Sequence, residues 1–260
     1  MSAIQDLGIC IRQWDWSETS QVVCVLGRET GLVRAVAKGS RRPKARYSGG
    51  LEVPSAGEFQ ARLKQGEGLS LLTSWDLSET FPRARTSLSA FHTALALVDV
   101  AFHSLEHADP HPAVFDELLA TLRAVGESDR TDRIALLWFL WCVLSETGHR
   151  PELTIDVRTG GALGPESDWA FAPQLGGFVS SAIPDAGTGP LWRTRATTAR
   201  LLRTLPSEFG KQGLSVFVAG APSDRVETER RAARLLAQYF VEVFHCEPDA
   251  LVTCLERWGS

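Results

Sequence analysis

The chain is 260 residues long, 44% hydrophobic and 22% charged, with a formal net charge of −4, the composition of an ordinary soluble, folded protein with room for one large domain or two to three small ones. Its longest apolar run, Ile134 to Leu144, has 11 residues, too few for a bilayer span of roughly 20, and Met1-Ser2-Ala3-Ile4-Gln5-Asp6 lacks the basic and apolar regions of a secretory leader. The five cysteines (Cys10, Cys24, Cys142, Cys246, Cys254) are odd in number and widely spaced, which reads as buried free thiols in a reducing cytoplasm and not as a disulfide framework.

Residues 1 to 81 read as strands. Leu7 to Ile11 and Val22 to Leu26 are short apolar runs, and a turn at Arg28-Glu29-Thr30-Gly31 leads into Leu32 to Ala37. Phe59, Ala61 and Leu63 alternate with Gln60, Arg62 and Lys64, the period of two of a half-buried strand. Leu69 to Thr73 follows the Gly66-Glu67-Gly68 turn. Five short strands with Gly-containing connections predict a small antiparallel β-barrel, and an OB-type five-stranded barrel is one of few solutions at this size.

Residues 82 to 260 read as a helical domain, which makes the chain an α+β multidomain protein. Leu88, Phe91, Leu95, Val98 and Phe102 recur at helical spacing, as do Val114, Leu118, Leu119, Leu122 and Val125. Asp132 precedes a run that is apolar on every side, Ile134 to Leu144, the mark of a helix buried in a bundle, and Gly148 is placed to end it. Residues 149 to 190 carry Gly160-Gly161, Gly164-Pro165, Gly176-Gly177 and Gly187-Thr188-Gly189-Pro190, which predicts a loop-rich insert with room for one small hairpin. Helical pattern returns over 194–205, 225–244 and 249–258.

The most informative stretch is Lys38-Gly39-Ser40-Arg41-Arg42-Pro43-Lys44-Ala45-Arg46, five cations in nine residues. Charge at that density repels itself and calls for a polyanion, because each Lys or Arg that meets a phosphate releases a counterion; a solvated surface loop is the plain alternative. Residues 1–85 hold 12 Lys and Arg against 9 Asp and Glu, whereas the remainder holds 15 against 22, so a basic front sits on an acidic body. Oligonucleotide-binding barrels use one face and its bordering loops. The basic loop falls between the third and fourth strands, and Arg34 projects from the third, where a solvated strand residue is an equal reading.

The first 85 residues resemble the RecO family of DNA repair and recombination mediators. The resemblance lies in Trp14-Asp15-Trp16-Ser17-Glu18-Thr19-Ser20, Gly31-Leu32, the basic segment from Ala37 to Arg46, Gly49-Gly50-Leu51 with Pro54, and Glu79-Thr80-Phe81-Pro82. It implies a cytoplasmic, non-enzymatic protein that binds single- and double-stranded DNA, anneals complementary strands, and works with RecR and the single-strand binding protein SSB to load RecA at gaps. Lys38, Arg41, Arg42, Lys44 and Arg46 would then contact the DNA backbone. Trp14, Trp16 and Tyr47 are candidates for stacking on bases, each with loop anchoring as the alternative. The SSB C-terminal tail would dock on the helical domain, where Arg123, Arg130 and Arg133 offer cations, with a solvated face as at least as good a reading of the three. A protein–protein adaptor built on the acidic body, with the barrel purely structural, is the competing class.

Many members of that family hold zinc with four cysteines in the insert. Here the corresponding positions hold Asp156, Thr159, Ser180 and Ile183, and residues 150–190 contain neither Cys nor His, so no metal and no other cofactor is expected. Trp169, Phe171 and Phe178 would form the insert's core instead. His103-Ser104-Leu105-Glu106-His107 spells a metalloprotease pattern, but Asp109-Pro110 follows directly, and a helix C-terminus that favours His is the simpler reading. Gly210-Lys211-Gln212-Gly213 reads as a turn. There is no nucleotide-binding P-loop and no nucleophile elbow; neither a catalytic residue nor a small-molecule substrate is expected.

Overall fold

A computed structural model describes residues 2–42, 47–48, 50–64, 68–180, 189–206, 213–220 and 226–258. Six strands form the first sheet: β1 (Ser2–Ser17), β2 (Ser20–Gly27), β3 (Gly31–Ala37), β4 (Tyr47–Ser48), β5 (Ser55–Leu63) and β6 (Ser70–Glu79). Their order is β3-β2-β1-β5-β6-β4. A parallel pairing of β3 with β6, from Ala35 beside Ser70 to Ala37 beside Leu72, joins the two sides into a ring of five strands. Closure leaves no free edge along the paired stretch; β4 is a two-residue addition to β6. Register shifts at Cys10/Arg12 and Asp15/Ser17 let the long β1 bend around this ring.

Two cores explain the apolar runs of the barrel. Cys10, Val23, Val25, Val33, Phe59, Leu72 and Trp75 fill its interior. The residues of opposite phase, Ile9, Ile11, Cys24, Leu26 and Leu32, belong to the core of the helices. Both faces of β1–β2–β3 are therefore buried over this stretch, which is why β2 reads as continuous Val-Val-Cys-Val-Leu and does not alternate.

The helices are α1 (Leu88–Ser104), α2 (Pro112–Ala124), α3 (Asp129–Glu146), α4 (Ala196–Leu202), α5 (Leu214–Gly220), α6 (Val226–Phe244) and α7 (Asp249–Arg257). Ser87 caps α1 by accepting the Ala90 N–H, and Ser128 caps α3 by accepting that of Thr131, each at 3.1 Å. α3 thus begins before Asp132, whose carboxylate accepts the Gly126 N–H at 2.8 Å. Its residues Ile134 to Leu144 are buried among α1, α2 and α6. Gly148 takes φ +80, and the His149 N–H returns to the Leu144 carbonyl at 2.7 Å, ending the helix as the sequence predicts. α5 escapes the periodicity: seven residues are too few for a stripe, and Val216, Phe217 and Val218 are indifferent helix formers.

Between α3 and α4 a small sheet of β7 (Ala170–Ala172), β8 (Gly177–Val179) and β9 (Trp192–Arg193) runs in the order β8-β7-β9. Trp169, Phe171 and Phe178 are buried there. Phe171 meets Phe178 edge-on at 5.8 Å and Tyr239 of α6 at 5.1 Å, which roots the insert in the body. Asp156, buried, accepts the N–H groups of Arg158 and Ser180 at 2.9 Å and that of Thr159 at 3.3 Å. Ile183 lies outside the described residues.

Barrel and helices meet along a continuous seam. The Ala108 N–H donates to the Leu32 carbonyl at 3.1 Å, and the Arg28 guanidinium donates twice to Asp116, at 2.9 and 2.8 Å. Gly31 has φ +68 and lies so close to Asp109 that a Cβ would sit 2.4 Å from its carbonyl oxygen. Among the described residues no helix is long and apolar enough to cross a membrane. Cys10, Cys24, Cys142 and Cys254 are buried, Cys246 is partly so, and all five are free thiols.

Candidate nucleic-acid interface

The basic segment begins where β3 leaves the barrel, and its first half is pinned to the β1–β2 end. The Gly39 N–H donates to Ser20 Oγ at 3.1 Å, Ser40 Oγ to Gln21 Oε1 at 2.9 Å, and the Arg41 N–H to the Thr19 carbonyl at 3.2 Å. Arg42 folds its stem over Gly39. These short local bonds fix a turn that presents Lys38, Arg41 and Arg42 to solvent. Arg41 pairs with Asp15, and both side chains of that pair are well exposed. Such a pair contributes little and opens readily to a competing anion. Lys38 and Arg42 have no carboxylate partner among the described residues. Lys44 and Arg46 lie outside the described residues.

Arg34 projects from β3 on the outer face, exposed, with its guanidinium 5.5 Å from the Phe102 ring centre of α1. Directly across the ladder lies Cys24, and across that Arg12. Burial holds the Cys24 thiol up at about 12 although Arg34 and Arg12 pull it down, so it stays protonated beneath the two cations. Arg12 is the cation that sequence reading missed. It pairs with Asp99, a carboxylate 2% exposed that also accepts the Ala250 N–H at 2.8 Å, and its guanidinium lies 4.8 Å above Phe102. Arg12 therefore belongs to the seam, and Arg34 to its open margin.

The aromatic candidates separate. Trp14 and Trp16, on β1, are 44% and 63% exposed beside the cations. Tyr47 is half-buried against the barrel core and donates its hydroxyl to the Leu72 carbonyl at 2.7 Å, which makes it the anchor of β4. The rim thus gathers Arg34, Lys38, Arg41 and Arg42 with Trp14 and Trp16, against the nearby carboxylates of Asp15 and Glu18.

Other candidates disperse. Arg123 donates to Glu79 at 2.9 Å, while Arg130 and Arg133 converge on Glu229 at 3.0 and 2.8 Å. α1 ends at Ser104, so His103 and His107 do not share a helical face; His107 instead bridges to Leu32 of β3. Among the described residues no group of three or more His, Cys, Asp or Glu is placed to hold a metal ion.

The chain is thus a closed five-stranded barrel of OB type, with a cationic, aromatic rim, fused to a helical body. Two family models match the chain: recombination protein O N terminal over residues 1–81 and recombination protein O C terminal over residues 85–215. The chain belongs to the RecO family. It is 32% identical over 203 residues to the DNA repair protein RecO of Symbiobacterium thermophilum, covering 78% of this chain and 79% of that one. It is 27% identical over 256 residues to the protein of the same name from Prosthecochloris aestuarii, with 94% of each covered. The Thermobifida fusca relative is 32% identical over 196 residues, 72% of this chain and 76% of its own.

Proposed function

We propose that this chain is a non-enzymatic, cytoplasmic mediator of recombinational DNA repair that grips the sugar–phosphate backbone of single- and double-stranded DNA on the barrel rim and anneals complementary strands. The observation that carries this reading is a set of exposed cations, Arg34 on β3 and Lys38, Arg41 and Arg42 in the turn that follows it, on an OB-type barrel in a chain of net charge −4. Pro43 to Arg46 continue the same segment, with Lys44 and Arg46 as further contacts. Annealing needs no covalent step: cations lower the repulsion between two approaching phosphate chains, and unpaired bases then meet.

Family membership supports RecR and SSB as partners in loading RecA. The acidic, apolar-ended SSB tail would fit a cleft of about 200 Å³ between α3, α4 and the insert. Trp141, Leu153, Leu202 and Leu205 give it apolar walls, and Arg150 and Arg203 line it together with the carboxylate of Glu152.

Salt dependence tests the DNA reading. With about five phosphate contacts, log affinity for single-stranded DNA should fall with log salt at a slope of about −3 to −4, using roughly −0.7 per contact. Reversing Lys38, Arg41 and Arg42 together to Glu should abolish binding to both DNA forms and leave the circular dichroism spectrum unchanged. Wild-type affinity in that variant would remove the rim and leave the adaptor reading.

A further inference from the structure

We infer that Trp14 is a seat for one unpaired nucleobase, braced from behind by Phe102 of the helical body, so that the rim discriminates single strands from duplex. The inference rests on the DNA reading above and adds the chemistry that the cations alone lack. Charge recognises any phosphate chain; a flat aromatic surface recognises only a base whose own face is free.

Several observations place the seat. Trp14 leaves 44% of its surface in water, an unusual position for so large an apolar ring, and this exposure falls within the cationic patch. Trp14 pairs with Val22, and Val22 with Val36. Arg34 precedes Val36 by two residues on β3, and Lys38 follows it by two, one residue past the strand's end. Since alternate strand residues share a face, the row beside the ring carries Arg34, and Lys38 stands at the strand's exit on the other side.

The brace is equally specific. The Trp14 and Phe102 ring centres are 6.2 Å apart at an interplanar angle of 59°. Phe102 lies within 4.8 Å of the Arg12 guanidinium, which is in turn tied to the buried carboxylate of Asp99. Trp14 therefore rests on a fixed support contributed by α1, and little side-chain freedom is lost when a base lands on it. Trp16, more exposed, has no such ring contact among the described residues. The occupant is set by charge: exposed Arg34, Lys38, Arg41 and Arg42 on the neighbouring strand and its exit turn match a repeating phosphate with a base attached. In a duplex every base face is already stacked, so this contact is forfeited.

The test compares binding of the full chain to a single-stranded oligonucleotide and to a duplex of the same length. Trp14→Ala should lose roughly 5- to 150-fold in single-strand affinity, with the salt slope unchanged and duplex affinity within about twofold of wild type. Trp14→Phe should recover most of the loss. Phe102→Leu, which keeps apolar bulk at the seam, should give a smaller loss of the same kind. Wild-type single-strand affinity in Trp14→Ala overturns the inference. So does an equal loss on both DNA forms with a shallower salt slope, or loss of a protein partner while DNA binding is intact. The charge-reversed triple variant keeps the two readings apart: if it binds as wild type, the DNA reading fails whatever Trp14 does. If it fails to bind while Trp14→Ala is silent, only the seat is lost.

Discussion

Asp156 shows how much one side chain can organise. Its two carboxylate oxygens collect three backbone N–H groups, from Arg158, Thr159 and Ser180, tying together two loops of the insert. Burial raises its pKa, but the bonds from Ser180, Arg158 and Thr159 outweigh that, and the carboxyl lies below its ordinary value of 3.8. A group depressed in the folded state contributes in full above its unfolded pKa and loses its contribution as pH falls through the folded one. Asp156→Asn should cost about 1–3 kcal/mol at neutral pH, read as a lower denaturation midpoint or faster proteolysis between residues 149 and 195. The gap between variant and wild type should begin to narrow once pH falls below the ordinary value of 3.8 and go on narrowing as pH falls through the lower folded value; a gap that does not narrow at all over that range would mean that the charge is not the source. Single residues differed in how plainly the chain announced them. That Lys38, Arg41 and Arg42 stand exposed together could be expected from the chain because their signal is local. Arg12 was not, because its partner Asp99 stands 87 residues away and nothing near either one hints at the other.

At the scale of elements, α3 and α6 are joined by a buried charge cluster. Glu229 of α6 is 1% exposed and receives the guanidiniums of both Arg130 and Arg133 from α3. Such a cluster is weak ground for net stability, but removing Glu229 leaves the mostly buried guanidinium of Arg133 without this carboxylate. Glu229→Ala should therefore cost about 1–3 kcal/mol in a denaturant titration, more than the simultaneous replacement of all three by apolar residues. A cost near zero would show that solvent compensates Arg133 as it does the partly exposed Arg130. The helices themselves were readable wherever they exceeded three turns: α1, α2 and α6 carry a stripe long enough to average out exceptions, and α3 a run apolar on every side. The short α5 and the two-residue β4 have no period to read. β1 exceeds its apolar run because cross-strand bonds to β2 and β5, not its own composition, carry it from Ser2 to Ser17.

For the whole molecule, the shared core is decisive. A basic barrel on an acidic body looks in sequence like two separable modules, yet Ile9, Leu26 and Leu32 of the barrel are buried with the helices. No sequence pattern distinguishes an apolar strand residue facing a barrel interior from one facing a helix, so the seam could not be foreseen. Far-ultraviolet dichroism and tryptophan fluorescence should report one coincident unfolding transition. Leu26→Ala, at a cost of about 2–5 kcal/mol, should lower both signals together. Two separated transitions would mean that the barrel stands alone. The same seam limits what the outer sheet can offer. With α1 packed against β1, a DNA strand gripped as proposed would be held over a few nucleotides only, and its flanks would stay in water with their bases open to a complementary strand.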